Sequence, residues 1–327
     1  MNKIIAYAVC SAVGFVSVFT GCKKEMISEN VSEERVTVNI SVPISETKVV
    51  SVSNEAAIHN YQVFLFKEDG MIEDYVNQNT SDITLDCTLG KKTIVVLVNA
   101  PSFGYVMDLT TLAAQNSLLT DNEAGSFVME GKVSVDITSL NSISITVPVT
   151  RKVARIELSS LNVAIDMPQY SSKTFTVSSV YLINVSAEMP YFEQAAPILW
   201  YNKTAYSSVD DNTLIYDDMG DFEITSETPY TTKNVFYCYT NNVTTDSFSE
   251  TWSPRLTRLV VEAKLDGETY YYPITVPNIK QNKRYEVNLI ITRPGAKSPD
   301  YEVDKLVADF KVSVADWGKG ATVNEEI

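Results

Sequence analysis

Val307-Ala-Asp-Phe-Lys-Val-Ser-Val-Ala-Asp-Trp317 alternates apolar and polar side chains. Ala308, Phe310, Val312 and Val314 fall on one face, with Asp309, Lys311 and Ser313 on the other. That is the period of a half-buried β-strand. Near the other end, Arg35-Val-Thr-Val-Asn-Ile-Ser-Val42 repeats the pattern. Val36, Val38, Ile40 and Val42 point one way; Thr37, Asn39 and Ser41 point the other. An apolar face of this kind is stable only when covered. Two similar strands, one close to each terminus, admit two readings. Both are edge strands of one monomer; or one is removed and the other, from a neighbouring molecule, fills the vacated groove, which is β-strand addition.

Between them the pattern recurs. Ile58–Phe66 ends at the turn signal Glu68-Asp-Gly70. Ile83–Leu89 precedes Gly90–Ala100, whose apolar run reads as a central strand buried on both faces. Leu109–Leu119 is the one helix-compatible stretch. Phe127–Gly131, Val133–Ile137 and Ile143–Val149 follow, and Arg151–Leu158 closes a first domain. The strands of a second are Phe175–Asn184, Asn234–Tyr239, Arg258–Lys264, Tyr270–Val276 and Arg284–Thr292, with Asp266-Gly267 as a hairpin signal. Strands with little helix, over a length that suggests about two domains, predict an all-β chain of two β-sandwiches in tandem.

Met1 to Gly21 is a targeting segment: Lys3, then a run from Ile4 to Phe19 that is apolar apart from a few small polar residues. It ends in Phe19-Thr-Gly-Cys22. Small residues directly before a Cys, after an apolar run, form a bacterial lipobox, so Cys22 is the expected lipidation site. Each buried methylene of an acyl chain contributes about 0.8 kcal/mol to the membrane anchor. Lys23 to Glu34 is a polar lead. Of the four Cys, Cys87 and Cys238 remain for the mature body. They could form one disulfide or stay as two buried thiols. The second is favoured, because they fall in different predicted domains and a bridge needs Cα atoms within about 7 Å.

The net charge of −15, without a basic cluster, excludes nucleic acid as an electrostatic partner. The only His, His59, stands at a strand margin, which rules out His-paired metal motifs. Ser45-Glu-Thr-Lys48 has the spelling of a Ser–Lys catalytic motif but lacks the helix that motif needs. Asp217–Glu223 reads as an acidic, solvated loop without regular calcium-ligand spacing. A glycosidase carboxylate pair has no local spelling, so a hydrolase stays as an alternative. No catalytic residue, metal or cofactor is predicted.

Several stretches, in order, resemble the fimbrillin-A family of Bacteroidales major fimbrial subunits, the type V pilins. These are the lipobox at Cys22, Tyr61–Phe66 with Asp69-Gly70, and Gly90–Asn99. Phe127–Gly131, Val149–Ile156 and Val180–Asn184 come next. Tyr272–Ile274, Asn282–Tyr285 and Val314–Trp317 complete the series.

The resemblance implies two transthyretin-like β-sandwich domains, export as an outer-membrane lipoprotein, and removal of the first strand by a trypsin-like protease. The exposed groove then accepts a C-terminal strand of the next subunit. Mapped on this sequence, 1–21 is the signal peptide and 22–48 the lipidated lead with the removable strand. The two domains are 49–160 and 161–306, and 307–327 is the donor tail. The removable strand is carried by Val36, Val38, Ile40 and Val42.

The family's cut commonly follows Arg. Arg35 lies before the strand, so Lys48 is the expected cleavage site. The donor strand is carried by Phe310, Val312, Val314 and Trp317, or by the end, Ala321–Ile327. The partners that the resemblance implies are further copies, head to tail, other fimbrial subunits, and membrane lipid through Cys22. It implies passage from the outer membrane to extracellular fimbriae that mediate adhesion. The alternatives are an anchor or minor subunit that keeps its first strand, and a non-polymerising surface lipoprotein that binds glycans.

Overall fold

Twenty strands account for about half of the described residues. The structure is a computed structural model that describes residues 34–45, 55–192, 196–204, 215–225, 227–247, 252–300 and 308–317. In the N-terminal half these are β1 (Val36–Ser41), β2 (Tyr61–Lys67), β3 (Ile72–Gln78), β4 (Ile83–Cys87) and β5 (Gly90–Val98). A short helix α1 (Leu109–Ala113) follows, then β6 (Asn116–Leu118), β7 (Met129–Ile137), β8 (Ile143–Thr146) and β9 (Thr150–Arg151). The C-terminal half opens with β10 (Ala154–Val163), β11 (Phe175–Ile183), β12 (Val185–Ser186), β13 (Glu188–Pro190) and β14 (Trp200–Tyr201). It continues with β15 (Tyr216–Glu223), β16 (Asn234–Cys238), β17 (Arg258–Leu265), β18 (Glu268–Thr275), β19 (Lys283–Ile291) and β20 (Ala308–Asp316).

Each half is a sandwich of two sheets. The first packs a five-stranded sheet, β3-β2-β5-β7-β9, against a three-stranded one, β4-β1-β8. The second packs β16-β10-β19-β20 against β15-β11-β17-β18. Apolar side chains from the facing sheets build one core that runs from Val36 on β1 to Trp317 after β20. The small pairs β6-β13 and β12-β14 lie outside the main sheets, and β6-β13 joins the two halves.

Local chemistry sets these elements. Ile94 to Val98 on β5 are all buried, as the unbroken apolar run predicted. The cause is a second cluster on the sheet's other face. There Phe64, Phe66, Val95 and Leu97 are covered by Val106, Leu112 and Tyr191. Asp266 and Gly267 both have positive φ, 56° and 81°. They close the predicted two-residue hairpin, whose last pair is Leu265 opposite Glu268.

Three expectations are corrected. Leu109–Leu119 is helical only through Ala113. Asp108 caps the helix by accepting from Thr111 N at 2.7 Å, after which Asn116–Leu118 extends to pair with β13. Asn and Ser are weak helix formers, and pairing in the fold overrides what propensity remains. The acidic stretch is not a loop but β15, paired with β11 across a bulge at Gly220 and Asp221. Its Asp221 bonds to Ser178 at 2.6 Å and to Lys264 at 2.7 Å. The strand expected at Arg151–Leu158 divides: β9 belongs to the first sandwich, and β10 is a central strand of the second. Both pieces share one alternation, so the pattern does not reveal the crossing.

Cys87 and Cys238 are free and buried. Burial pushes both thiols up, Cys238 to about 12.

Candidate assembly groove and the buried cluster beside it

β1 is the middle strand of its sheet. It runs antiparallel to β4, with Val36 opposite Cys87, Val38 opposite Leu85 and Ile40 opposite Ile83. On its other side it runs parallel to β8, with Val38 opposite Ile143 and Ile40 opposite Ile145. The pairing continues past the strand: Val147 N donates to Ser41 O, and Val149 N to Pro43 O, both at 2.9 Å. Val36, Val38 and Ile40 are 1%, 0% and 4% exposed. Val42, expected with them, is half-buried because the strand ends at Ser41 and Pro43 follows. The opposite face is polar. Thr37 donates to Asp86 at 2.9 Å and Asn39 to Ser142 at 3.1 Å.

Because β4 and β8 each pair with β1 in this sheet, lifting β1 out would leave two facing, unpaired edges about 10 Å apart. Those edges carry Ile83, Leu85, Ile145 and Val147, all buried now. Such a slot accepts one extended strand with alternating apolar side chains.

The other expected strand, β20, sits elsewhere. It pairs antiparallel with β19 along its whole length, from Asp316 opposite Lys283 to Ala308 opposite Ile291. Val312 and Trp317 are buried, while Phe310 and Val314 are partly buried against the same core. The donor residues therefore belong to this chain's own second sandwich. Cys22, Lys48 and Ala321–Ile327 lie outside the described residues.

Beside Trp317 is a cluster that pattern reading missed. Glu55 is 5% exposed. One carboxylate oxygen accepts from Arg155 Nε at 3.0 Å and from the Tyr237 hydroxyl at 2.9 Å. The other accepts from Trp317 Nε1 at 2.8 Å. Trp317 stacks on Tyr237 with centroids 5.7 Å apart, meets Phe127 edge-on, and carries the Arg151 guanidinium 4.8 Å above its ring. Arg155 also bonds Glu157, which Lys233 reaches at 3.1 Å. Burial pushes the Glu157 carboxyl up, but Arg155 and Lys233 outweigh it and hold the group below its ordinary value. Glu55 stands at the end of a polar spacer, and its partners are about a hundred residues or more away, so no local signal marks it.

Two asparagines were also missed as structural residues. Asn99 ends β5 and Asn184 ends β11, both at positive φ. Asn99 Oδ1 accepts from His59 N at 2.7 Å, and Asn184 Oδ1 accepts from Thr204 N at 3.2 Å. His59 itself donates from its ring to Gly125 O at 2.7 Å, a packing contact. Among the described residues no cluster of His, Cys, Asp or Glu is placed to hold a metal ion. Among them too, no helix is long and apolar enough to cross a membrane.

A tandem-sandwich protein with its first strand at the centre of a sheet is the class these features define. Residues 37–153 match the family described as major fimbrial subunit protein (FimA). That family is one of structural subunits and not of enzymes. Among solved structures, a proposed cell adhesion protein from Bacteroides eggerthii is similar in fold. The TM-score is 0.68 at 21% identity, over 87% of this chain and 96% of that one. The fimbrilin of Porphyromonas gingivalis gives a TM-score of 0.61 at 17% identity, over 90% of this chain and 100% of that one. The tip fimbrial protein Mfa3 of the same species gives 0.55 at 13%, over 86% and 100%. Among curated proteins none matches the sequence.

Proposed function

We propose that this chain is a structural subunit of surface fimbriae, lipidated at Cys22, cut after Lys48 and polymerised head to tail by strand exchange. The observation that carries the reading is the place of β1: a strand from the start of the chain fills the middle of a sheet. A single cut in the spacer that follows would detach it whole. Val36, Val38 and Ile40 would each take about 1.5–3 kcal/mol of burial with them. Each buried backbone group left unpaired would cost about 1–3 kcal/mol. An incoming strand with the same alternation would recover both. Contacts of this kind between two different surfaces do not close on themselves, so they build filaments.

The pairing of β20 with β19 bears on the donor. To donate Phe310, Val312, Val314 and Trp317, the chain would have to vacate its own sheet, which costs as much as it gains. The other donor expected from the sequence is the end, Ala321–Ile327. We therefore assign donation to 318–327, with β20 as its fixed base. Adhesion is a property of the assembled fimbria in this reading.

Trypsin-like treatment of the purified precursor tests it. Cleavage near Lys48 should convert monomer to polymer, and Lys48→Ala should block both steps. Cleaved protein that remains monomeric, with β1 still bound after gel filtration, would refute the reading. A subunit that keeps its strand in native filaments would instead be an anchor.

A further inference from the structure

Glu55 takes no part in the β1 pairing, yet it stands between the two regions that strand exchange uses. In sequence it comes shortly after Lys48, at the start of the described chain beyond the spacer. In space its three donors come from β10, β16 and the residue that follows β20.

Stability does not account for it. A buried carboxylate with good partners is often no more stabilising than apolar residues of similar size, while losing one partner is costly. What the carboxylate does, and a Leu could not, is hold three separate donors at fixed directions. Arg and Trp can only donate, so both need an acceptor here. The Tyr237 and Phe127 rings close round the indole, leaving it little freedom to turn.

We propose that Glu55 is a latch: a positioning residue that holds Trp317, the root of the C-terminal tail, in one place before and after processing. This inference rests on the strand-exchange reading given above. A cut at Lys48 lies on the N-terminal side of Glu55, so β1 departs and Glu55 stays with the body. Trp317 then stands at the same point of each subunit, whether or not the groove is filled. Trp317 Nε1, Tyr237 and Arg155 are thus specificity contacts for the geometry of the growing filament.

Glu55→Gln isolates the effect. The amide keeps size and one oxygen but turns its other position into a donor. Facing Trp317 Nε1 it opposes donor to donor; flipped, it opposes Arg155 Nε. Trp317→Phe removes the indole N–H from the other side. The full-length precursor and both variants, with the double variant, are compared by hydrogen exchange of peptides covering 308–317. Polymerisation after trypsin-like cleavage is then followed by light scattering.

Each single variant should speed exchange in 308–317 by about tenfold, the worth of one hydrogen bond to a charged group. Exchange in β5 and β7 should not change. The double variant should exchange little faster than either single one, because both remove the same contact. Polymer growth should slow by several fold. Variants whose 308–317 peptides stay as protected as wild type would overturn the latch, as would effects that simply add. A Glu55→Gln chain that fails to fold would leave Trp317→Phe to decide on the same two criteria. If wild-type protein does not polymerise at all but both variants loosen 308–317, the latch stands and strand exchange falls.

Discussion

Val38→Asp is the sharpest perturbation of the groove. Val38 is wholly buried, opposite Leu85 on one side and Ile143 on the other. Losing its side chain removes about 1.5–3 kcal/mol of burial. An ionised carboxylate in its place has no partner, and the effective penalty for such a charge is on the order of 3–5 kcal/mol. The two together, about 5–8 kcal/mol, rival all that Val36, Val38 and Ile40 contribute by burial, about 5–9 kcal/mol. β1 should therefore leave its slot without any protease. The second sandwich, which contains none of β1, should stay folded. Hydrogen exchange read by mass spectrometry checks this. Peptides over Ile83–Cys87 and Ile143–Thr146 should lose protection, those over Arg258–Thr275 should keep it, and gel filtration should show early polymer. A variant that remains monomeric, with Ile83–Cys87 as protected as in wild type, would show that β1 is not what holds the slot. Uniform loss of protection across both halves would show that the chain cannot fold without it.

Four shorter predictions concern the tail, the lipid site, the buried thiols and Glu73. Deleting 318–327 should abolish polymerisation and leave the melting temperature within a few degrees of wild type. Deleting 308–327 should lower it sharply, since the core loses Val312 and Trp317 and β19 loses its partner; thermal melts and light scattering separate the two. Cys22→Ser should take up no labelled palmitate and accumulate as precursor. Cys87 and Cys238 should resist iodoacetamide in native protein at pH 8 and react once denaturant is added, because both are buried with raised pKa values. Glu73 is pushed up by burial, but hydrogen bonds from Lys92 at 2.5 Å and from Thr88 outweigh this and hold its carboxyl below the ordinary 4.5. A depressed folded value gives stability that is complete above about pH 4.5 and lost as pH falls through the folded pKa. Acid melts should show that loss, and Glu73→Gln should flatten it.

The sequence by itself determined the strands and much of their burial. The alternation of Arg35–Val42 set which side chains of β1 face the core, because a period of two leaves a strand only one way to bury its apolar set. The unbroken apolar run Ile94–Val98 set a strand covered on both faces, and Asp266-Gly267 set a hairpin through its positive φ angles. Local signals of this kind survive in a single sequence. Only the tertiary structure decided what each strand lies against. Alternation at β1 and β20 is alike, yet β1 fills the middle of one sheet while β20 extends another along β19. Period says which face is buried and not which edge is shared. The split between β9 and β10 is hidden for the same reason. The Glu55 carboxylate is hidden more deeply. Its meaning comes from Arg155, Tyr237 and Trp317, which the chain reaches only after folding both halves, and no spacing within the sequence records that meeting.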